Sequence, residues 1–128
     1  MATIKNFEEI ISWQKARVLN QEVYLLTNNS GLSRDFGLRD QMRRSSISIM
    51  SNIAEGFERR GDKEFARFLT IAKSSCAELK SQLYAAADIK LISDEDFKRM
   101  AAQADEVSKL IQGFKTYLKN SLTHQLID

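Results

Sequence analysis

Two apolar patterns in the second half of the chain constrain its fold most strongly. Between Phe65 and Ala86, and again between Phe97 and Leu118, apolar residues recur at alternating spacings of three and four. Such a heptad seam is typical of helices that cross at shallow angles. The positions are Phe65, Leu69, Ala72, Cys76, Leu79, Leu83 and Ala86, then Phe97, Met100, Ala104, Val107, Ile111, Phe114 and Leu118. Both segments are predicted to be helices of a bundle.

A third helix is predicted from Leu38 to Arg60, and it has two distinct faces. At about 100° per residue, one face carries the apolar and small side chains, and a polar stripe lies beside it. The first face comprises Leu38, Met42, Ser46, Ile49, Ile53 and Gly56, and the stripe comprises Gln41, Arg44, Ser48, Asn52, Glu55 and Arg59. Because a simple core helix needs no second stripe, this helix is predicted to serve in packing and assembly.

The first helix is expected to begin at a capping box formed by Asn6 and Glu9 and to end near Thr27. Its apolar residues lie on two sides, both of which are expected to be covered. One side carries Ile11, Val18 and Leu25, and the other carries Trp13, Ala16 and Val23.

The remaining segments are predicted to connect the helices. Asn28–Gly37 reads as a loop, and an ordinary helix connection is favoured over a mobile binding element. Gly61 is expected to end the second helix and Asp62 to cap the third. Lys90–Ser93 is a short break, with Ser93 as the next cap, and THQLID at the end is expected to fray.

The fold class follows from these segments. The chain has no proline and no stretch of strict apolar alternation with hairpin punctuation. We therefore predict an all-α, antiparallel, up-and-down four-helix bundle, in which residues 1–128 form one domain. The expected helices span approximately residues 7–27, 38–60, 63–89 and 94–120.

Composition excludes several functional classes. No apolar run approaches the roughly 20 residues that span a bilayer, and the N-terminus lacks the features of a signal peptide, so we expect a cytoplasmic protein. Cys76 is the only cysteine and His124 the only histidine, which argues against disulfides, zinc clusters and histidine-rich metal sites. No cofactor and no metal ion are predicted.

The polar stripe permits two interpretations. A catalytic one would use Glu55, with Asn52 orienting a ligand and Arg44 or Arg59 favouring the carboxylate. The favoured interpretation is a satisfied polar network at a helix or subunit contact, because a full catalytic constellation is absent. The predicted interface residues are Arg44, Ser48, Asn52, Glu55 and Arg59.

Charge is distributed unevenly along the chain. The net charge is only +2, but residues 34–73 carry nine Lys/Arg against six Asp/Glu. A basic surface there is a candidate for phosphate binding, with a solvated or intersubunit face as an equal alternative. The predicted nucleic-acid-binding residues are Arg39, Arg43, Arg60, Lys63 and Arg67.

A resemblance to a known family rests on three segments: FEEIISWQKARVLNQEVYLLT, RSSISIMSNIAEGFERR and EFARFLTIAKSSCAELKSQL. They resemble the four-helix-bundle proteins encoded within intervening sequences of bacterial 23S ribosomal RNA genes. The resemblance covers approximately Phe7 to Leu118, and SNIAEG is its most specific part. The matching positions are Arg44, Ser48, Asn52, Ile53, Ala54, Glu55 and Gly56, together with Glu78 and Leu79.

The resemblance implies a cytoplasmic helical bundle, not an enzyme, that can form homopentamers and has a poorly defined connection to nucleic acid. Related proteins accompany reverse transcriptases in diversity-generating retroelements, which implies an accessory role as an alternative. Met50 and Ser74 stand where the family commonly has proline and glycine, and the first loop lacks a frequent Phe-Pro pair. We therefore expect a nonenzymatic, homo-oligomeric scaffold that binds RNA, DNA or a protein partner.

Overall fold

The computed structural model describes the backbone of residues 3–127 and the side chains of residues 3–120. It contains four α-helices: α1 (Ile11–Asn28), α2 (Phe36–Glu58), α3 (Asp62–Asp88) and α4 (Asp94–Ile127). Short 3-10 helices at Phe7–Glu9 and Gly31–Ser33 precede α1 and α2, and residues 3–127 contain no strand. The predicted all-α fold is confirmed.

The helices pack as neighbours in chain order, and α1 also contacts α4. Side-chain contacts show that adjacent helices are antiparallel. Ser45 hydrogen-bonds Glu78 while Ser48 bonds Ser75, so residue numbers rise along α2 as they fall along α3. The contacts Lys73–Gln112 and Lys80–Asp105 show the same relation for α3 and α4. The bundle therefore has the up-and-down topology that its short connections predict.

The core consists of the residues that the helical spacing selected. All seven seam positions of α3 are buried, and in α4 Met100, Ala104, Val107, Ile111 and Leu118 are buried as well. Phe97 and Phe114 are partly buried against this core. On α2, Met42, Ser46, Ile49, Ile53 and Gly56 are buried. The predicted core faces of α2, α3 and α4 are thus confirmed.

The start of α1 differs from its prediction. Glu9 reaches back as expected, because its carboxylate accepts the backbone N–H of Asn6 at 2.8 Å and of Lys5 at 2.7 Å. These bonds lower the pKa of the Glu9 carboxyl. They cap only the 3-10 turn Phe7–Glu9, however, and α1 itself begins at Ile11 after Ile10 adopts an extended conformation.

The first connection is shorter and more ordered than the sequence indicated. Asp35 accepts the backbone N–H of Leu38 at 3.1 Å, which starts α2 at Phe36 instead of Leu38. The Gly31 N–H donates to the Leu91 carbonyl at 3.0 Å and ties this connection to the one between α3 and α4. Leu32 is fully buried, so the segment contributes to the core, as an ordinary helix connection does.

The turn between α2 and α3 corrects the role predicted for Gly61. Arg60, not the glycine, has the positive φ of 63°, because α2 already ends at Glu58. Gly61 is extended, with φ −140°, and is the N-cap residue of α3, which begins at Asp62. The prediction that Gly61 ends α2 and that Asp62 caps α3 is therefore wrong.

Helix α4 continues beyond its predicted end at residue 120 and reaches Ile127. The side chain of His124, in the tail expected to fray, lies outside the described residues. Within residues 3–127, none of the helices combines the length and the apolarity that crossing a bilayer requires.

Candidate functional surfaces

The polar stripe of α2 forms a small hydrogen-bond network with α3. The Ser48 hydroxyl lies 2.8 Å from the Ser75 hydroxyl, and the Asn52 amide donates to the Ser48 carbonyl at 2.8 Å and to its hydroxyl at 3.0 Å. Ser48 and Asn52 are half-buried. Of the predicted interface residues, Ser48 thus bonds α3 within one chain, and Asn52 bonds Ser48 within α2.

Glu55 lies outside this network. Its carboxylate accepts from Arg59 at 3.1 Å, and both side chains are more than half exposed. Arg44 is also exposed and lies eleven residues from Glu55, roughly 16 Å along the helix. The groups invoked for catalysis are therefore not gathered around Glu55: Asn52 turns to Ser48, and only Arg59 contacts the carboxylate.

Gly56 lies where α2 and α3 approach each other closely. A Cβ atom added there would lie 2.6 Å from the Phe68 Cβ and 2.9 Å from the Phe65 Cδ1. Such distances are far inside van der Waals contact, so the helices can approach this closely only because position 56 lacks a side chain. The glycine of SNIAEG thus has the clearance role that its helical position suggested.

Two of the predicted nucleic-acid-binding arginines lie on the first half of α2. Arg39 pairs with Asp40 at 3.0 Å, and its guanidinium lies over the Phe36 ring at 4.7 Å. Arg43 donates to the Thr27 hydroxyl at 2.9 Å and to the Asn28 side-chain oxygen at 2.7 Å. Arg43 therefore connects α2 to α1, which occupies donors that phosphate would need.

The other three predicted binding residues lie beside the turn between α2 and α3. Arg60 stacks over Phe57 at 5.4 Å, Arg67 pairs with Glu64 at 3.2 Å, and Lys63 is exposed. Position 60 is roughly 31 Å from position 39 along the direction of α2. The structure therefore divides the five residues into two groups near opposite ends of the bundle instead of bringing them together.

An open groove runs along the outer side of α2. It has a volume of about 530 Å³, and it is lined by Tyr24, Asp40, Arg43, Arg44, Ile47, Ser48, Ser51 and Asn52. The groove thus unites three predicted interface residues with one predicted binding residue. Ile47, 41% exposed, is an apolar contribution that the sequence prediction missed, because it lies off the core face of the helix.

Helix α1 exposes the apolar side that was expected to be covered. Ile11, Val18 and Leu25 are 56%, 49% and 58% exposed, whereas Ala16 and Val23 on the other side are fully buried. Within one chain only one side is covered, because α2 and α4 pack against that side alone. Cover of the other side by a second subunit stays a prediction. The exposed residues repeat every seven positions; we call them the α1 stripe.

An apolar groove of about 480 Å³ lies between α1 and α4 at one end of the α1 stripe. Ile11, Leu110 and Tyr117 are among its lining residues, and so is Ser12. The Ser12 side chain is 2% exposed, and its hydroxyl has no hydrogen-bond partner within the described residues. A buried hydroxyl without a partner is costly unless something bonds it, and no spacing rule in the sequence signals it.

Cys76 is a core residue, as its spacing indicated. It is 2% exposed, and burial, as the largest cause, raises the pKa of its thiol to about 12. The described residues contain no group of three or more His, Cys, Asp or Glu side chains placed to hold a metal ion. The thiol has the properties of a buried apolar group and not of a nucleophile.

Comparison with known proteins connects this bundle to a family. The sequence model of the 23S rRNA-intervening sequence protein family matches residues 8–113. The chain belongs to this family. Comparison with curated protein sequences finds no significant match.

A solved structure supports the same fold for this 23S rRNA-intervening sequence protein. It is the crystal structure of a protein of unknown function from the S23 ribosomal protein family of Bacteroides thetaiotaomicron. The similarity has a TM-score of 0.75 at 21% identity, and it covers 82% of this chain and 98% of the other. At this identity the likeness extends to the fold alone.

Proposed function

We propose that this 23S rRNA-intervening sequence protein is a nonenzymatic, homo-oligomeric helical scaffold that binds RNA or another acidic partner through a basic surface. The observation that carries the oligomeric part is the α1 stripe. Ile11, Val18 and Leu25 place three large apolar side chains, each about half exposed, on one line along the helix. A line with heptad spacing is what a second helix can cover.

Covering the α1 stripe would contribute a useful free energy. Full burial of one such side chain is worth roughly 1.5–3 kcal/mol, so burial of the three exposed halves contributes about 3 kcal/mol. The groove on the outer side of α2 offers a different surface on the next subunit. Contact between two different surfaces generates a closed ring when the rotation allows it. The number five for such a ring comes from the family resemblance.

The oligomeric part is tested by light scattering at several protein concentrations. We expect the wild type to form an oligomer and Val18→Glu to shift it toward monomer, because a carboxylate in the stripe would be buried without a partner. Ser81→Glu introduces the same charge at an exposed position of α3, away from the α1 stripe, and should leave the oligomer intact. A wild type that is monomeric at every concentration contradicts the proposal.

The RNA-binding part is tested with a labelled RNA at low salt. We expect affinity to fall as salt rises and to weaken in the Arg39→Ala/Arg43→Ala variant. Because Arg43 also bonds Thr27 and Asn28, the single variant Arg39→Ala and a circular dichroism spectrum separate lost binding from lost packing. Absence of binding by the wild type at low salt removes this part of the proposal.

A second candidate function is an accessory protein-interaction module, for example beside a reverse transcriptase. The groove between α1 and α4 favours it, because its lining is mostly apolar and includes the unpartnered Ser12 hydroxyl. An amphipathic partner segment that supplies one hydrogen-bonding group would suit both features. A pull-down that is insensitive to nuclease but is lost in Gly113→Trp, at an exposed position of the groove lining, supports this function, and one abolished by nuclease contradicts it.

An enzyme that uses Glu55 is the most distant alternative. The carboxylate lies on the exposed side of α2, where it pairs with Arg59. Replacement of Glu55 by Gln should therefore leave assembly and RNA binding close to those of the wild type.

A further inference from the structure

A second basic surface lies between α3 and α4, away from the predicted arginines. It is a groove of about 460 Å³ whose lining includes Lys73, Lys80 and Lys115, with Asp105 as its only carboxylate. All three lysines are half-buried, so their ammonium groups border the groove while their aliphatic stems lie against the helices.

The groove exists because small side chains lie between the lysines. Ala77 and Ala104 are part of its lining, and neither extends beyond a methyl group. Longer side chains at these positions would fill the space between the two helices. Small residues thus line the bottom of the groove, and long cationic side chains border it.

The lysines are spread along the groove and held by neighbours across it. Lys73 donates to the Gln112 side-chain oxygen at 2.8 Å, and Lys80 pairs with Asp105 at 3.0 Å. Lys73 and Lys80 are seven residues apart, about 10.5 Å along α3. Lys115 lies one helical turn beyond Gln112 on the antiparallel α4, so the three ammonium groups extend over roughly 15 Å. This is a row of charges, not a single point.

We propose that the groove between α3 and α4 binds the phosphodiester backbone of a single nucleic-acid strand. The inference rests on the proposed RNA binding and assigns it to a specific surface. Charge complementarity carries it: three lysines with one carboxylate border a concave channel. Among residues 3–120, Lys73 and Lys115 form no ion pair with a carboxylate, whereas Lys80, like Arg39 and Arg67, does. A positively charged groove that follows the backbone is how proteins bind single strands without sequence preference.

The test compares two triple variants by fluorescence anisotropy. Lys73→Gln/Lys80→Gln/Lys115→Gln removes the charges of the groove while keeping the length of the side chains. Lys5→Gln/Lys15→Gln/Lys90→Gln removes the same charge from positions that do not line the groove, and Lys15 is ion-paired like Lys80. The probe is a labelled oligouridylate of about 20 nucleotides, longer than typical single-strand site sizes.

We expect the groove variant to bind at least about tenfold more weakly at low salt. Each phosphate contact with a single strand contributes about 0.7 to the slope of log K against log salt, so the magnitude of the slope should fall by about 2. The control variant should keep the slope of the wild type. Duplex RNA of the same length should bind more weakly than the single strand.

Each other outcome would contradict a specific part of the proposal. If the wild type binds and the groove variant binds equally well, the groove is not the site, although the proposed function survives. An equal loss of affinity in both triple variants would mean that diffuse charge attracts the RNA, and it would contradict the groove as the binding site. Equal binding of duplex RNA overturns the single-strand assignment. If the wild type does not bind at all, the proposed RNA binding fails, and the inference fails with it.

Discussion

At Gly56 the absence of a side chain sets the distance between two helices. The Cβ of an alanine would lie 2.6 Å from the Phe68 Cβ, which is anchored to the backbone and cannot turn away. Alanine is intrinsically better in a helix by about 1 kcal/mol, so propensity and packing act in opposite directions here. Packing should win, because the clash is with the base of a buried side chain.

We predict that Gly56→Ala lowers the free energy of unfolding by roughly 1–3 kcal/mol, the usual cost of overpacking. Gly113→Ala is the matched control, because nothing lies within 4 Å of a Cβ added there within helix α4. Gly113→Ala should raise the free energy of unfolding by about 1 kcal/mol, because alanine has the higher helix propensity. Urea denaturation of both variants measures the difference, and a Gly56→Ala protein as stable as the wild type would refute the packing argument.

Burial of the Cys76 thiol predicts that the protein loses stability at alkaline pH. Its thiol has a pKa of about 12 in the folded chain and about 8.5 when unfolded, so the unfolded state releases the proton first. The contribution of the buried thiol to the free energy of unfolding should therefore be fully present below about pH 8.5 and be lost as the pH rises toward 12. At pH 10 the loss is about 2 kcal/mol.

Cys76→Ala supplies the reference for this pH dependence. The difference in unfolding free energy between wild type and variant should shrink by about 2 kcal/mol between pH 8 and pH 10, because only the wild type carries the thiol. Denaturation at each pH measures it, and the comparison cancels the titration of lysines and tyrosines. A constant difference would show that the thiol is not protected by burial.

At the scale of elements, helix α3 ends in a Schellman motif without glycine. The Lys90 N–H donates to the Ala87 carbonyl at 3.0 Å, and the Leu91 N–H donates to the Ala86 carbonyl at 2.9 Å. The motif places Lys90 at φ 61°, a conformation that favours glycine. The end of α3 therefore carries local strain that a single substitution can relieve.

We predict that Lys90→Gly is more stable than Lys90→Ala by roughly 0.5–1 kcal/mol. The left-handed conformation costs a residue with a Cβ about 1–2 kcal/mol. Glycine avoids this cost, but it loses more backbone entropy on folding, which offsets part of the gain in stability. Both variants lack the lysine side chain, so their difference isolates the backbone. Lys98→Gly, at an exposed right-handed position within α4, should instead lose stability. Thermal unfolding ranks the variants, and the reverse order for position 90 would contradict the assignment.

The elements also show how far sequence reasoning extends. The heptad seams located the core faces of α3 and α4, and the capping signal at Ser93 is confirmed by its 3.0 Å bond from the Asp96 N–H. The same rules placed the glycine that ends α2 at Gly61, whereas α2 ends at Glu58 and the positive φ falls on Arg60. The residue at which a helix ends depends on tertiary packing, and the residue with positive φ after it is not always the nearest glycine.

At the scale of the whole molecule, the α1 stripe ties stability to assembly. If subunits associate through it, protein concentration should raise the melting temperature, because the associated state binds only folded chains. A concentration about a hundredfold above the dissociation constant contributes about 2.7 kcal/mol. Val18→Glu should abolish the dependence and Ser81→Glu should retain it. A melting temperature that is the same at every concentration would contradict assembly through the stripe.

The sequence by itself determined the helices and their inward faces, because a period of 3.6 residues and a capping side chain act within one segment. Only the tertiary structure decided which charges are already paired. Arg43 is bonded to Thr27 and Asn28 of α1 and Lys80 to Asp105 of α4, whereas Lys73 borders an open groove beside the neutral amide of Gln112. These outcomes depend on the register between helices far apart in the chain, and no single-segment pattern records that register.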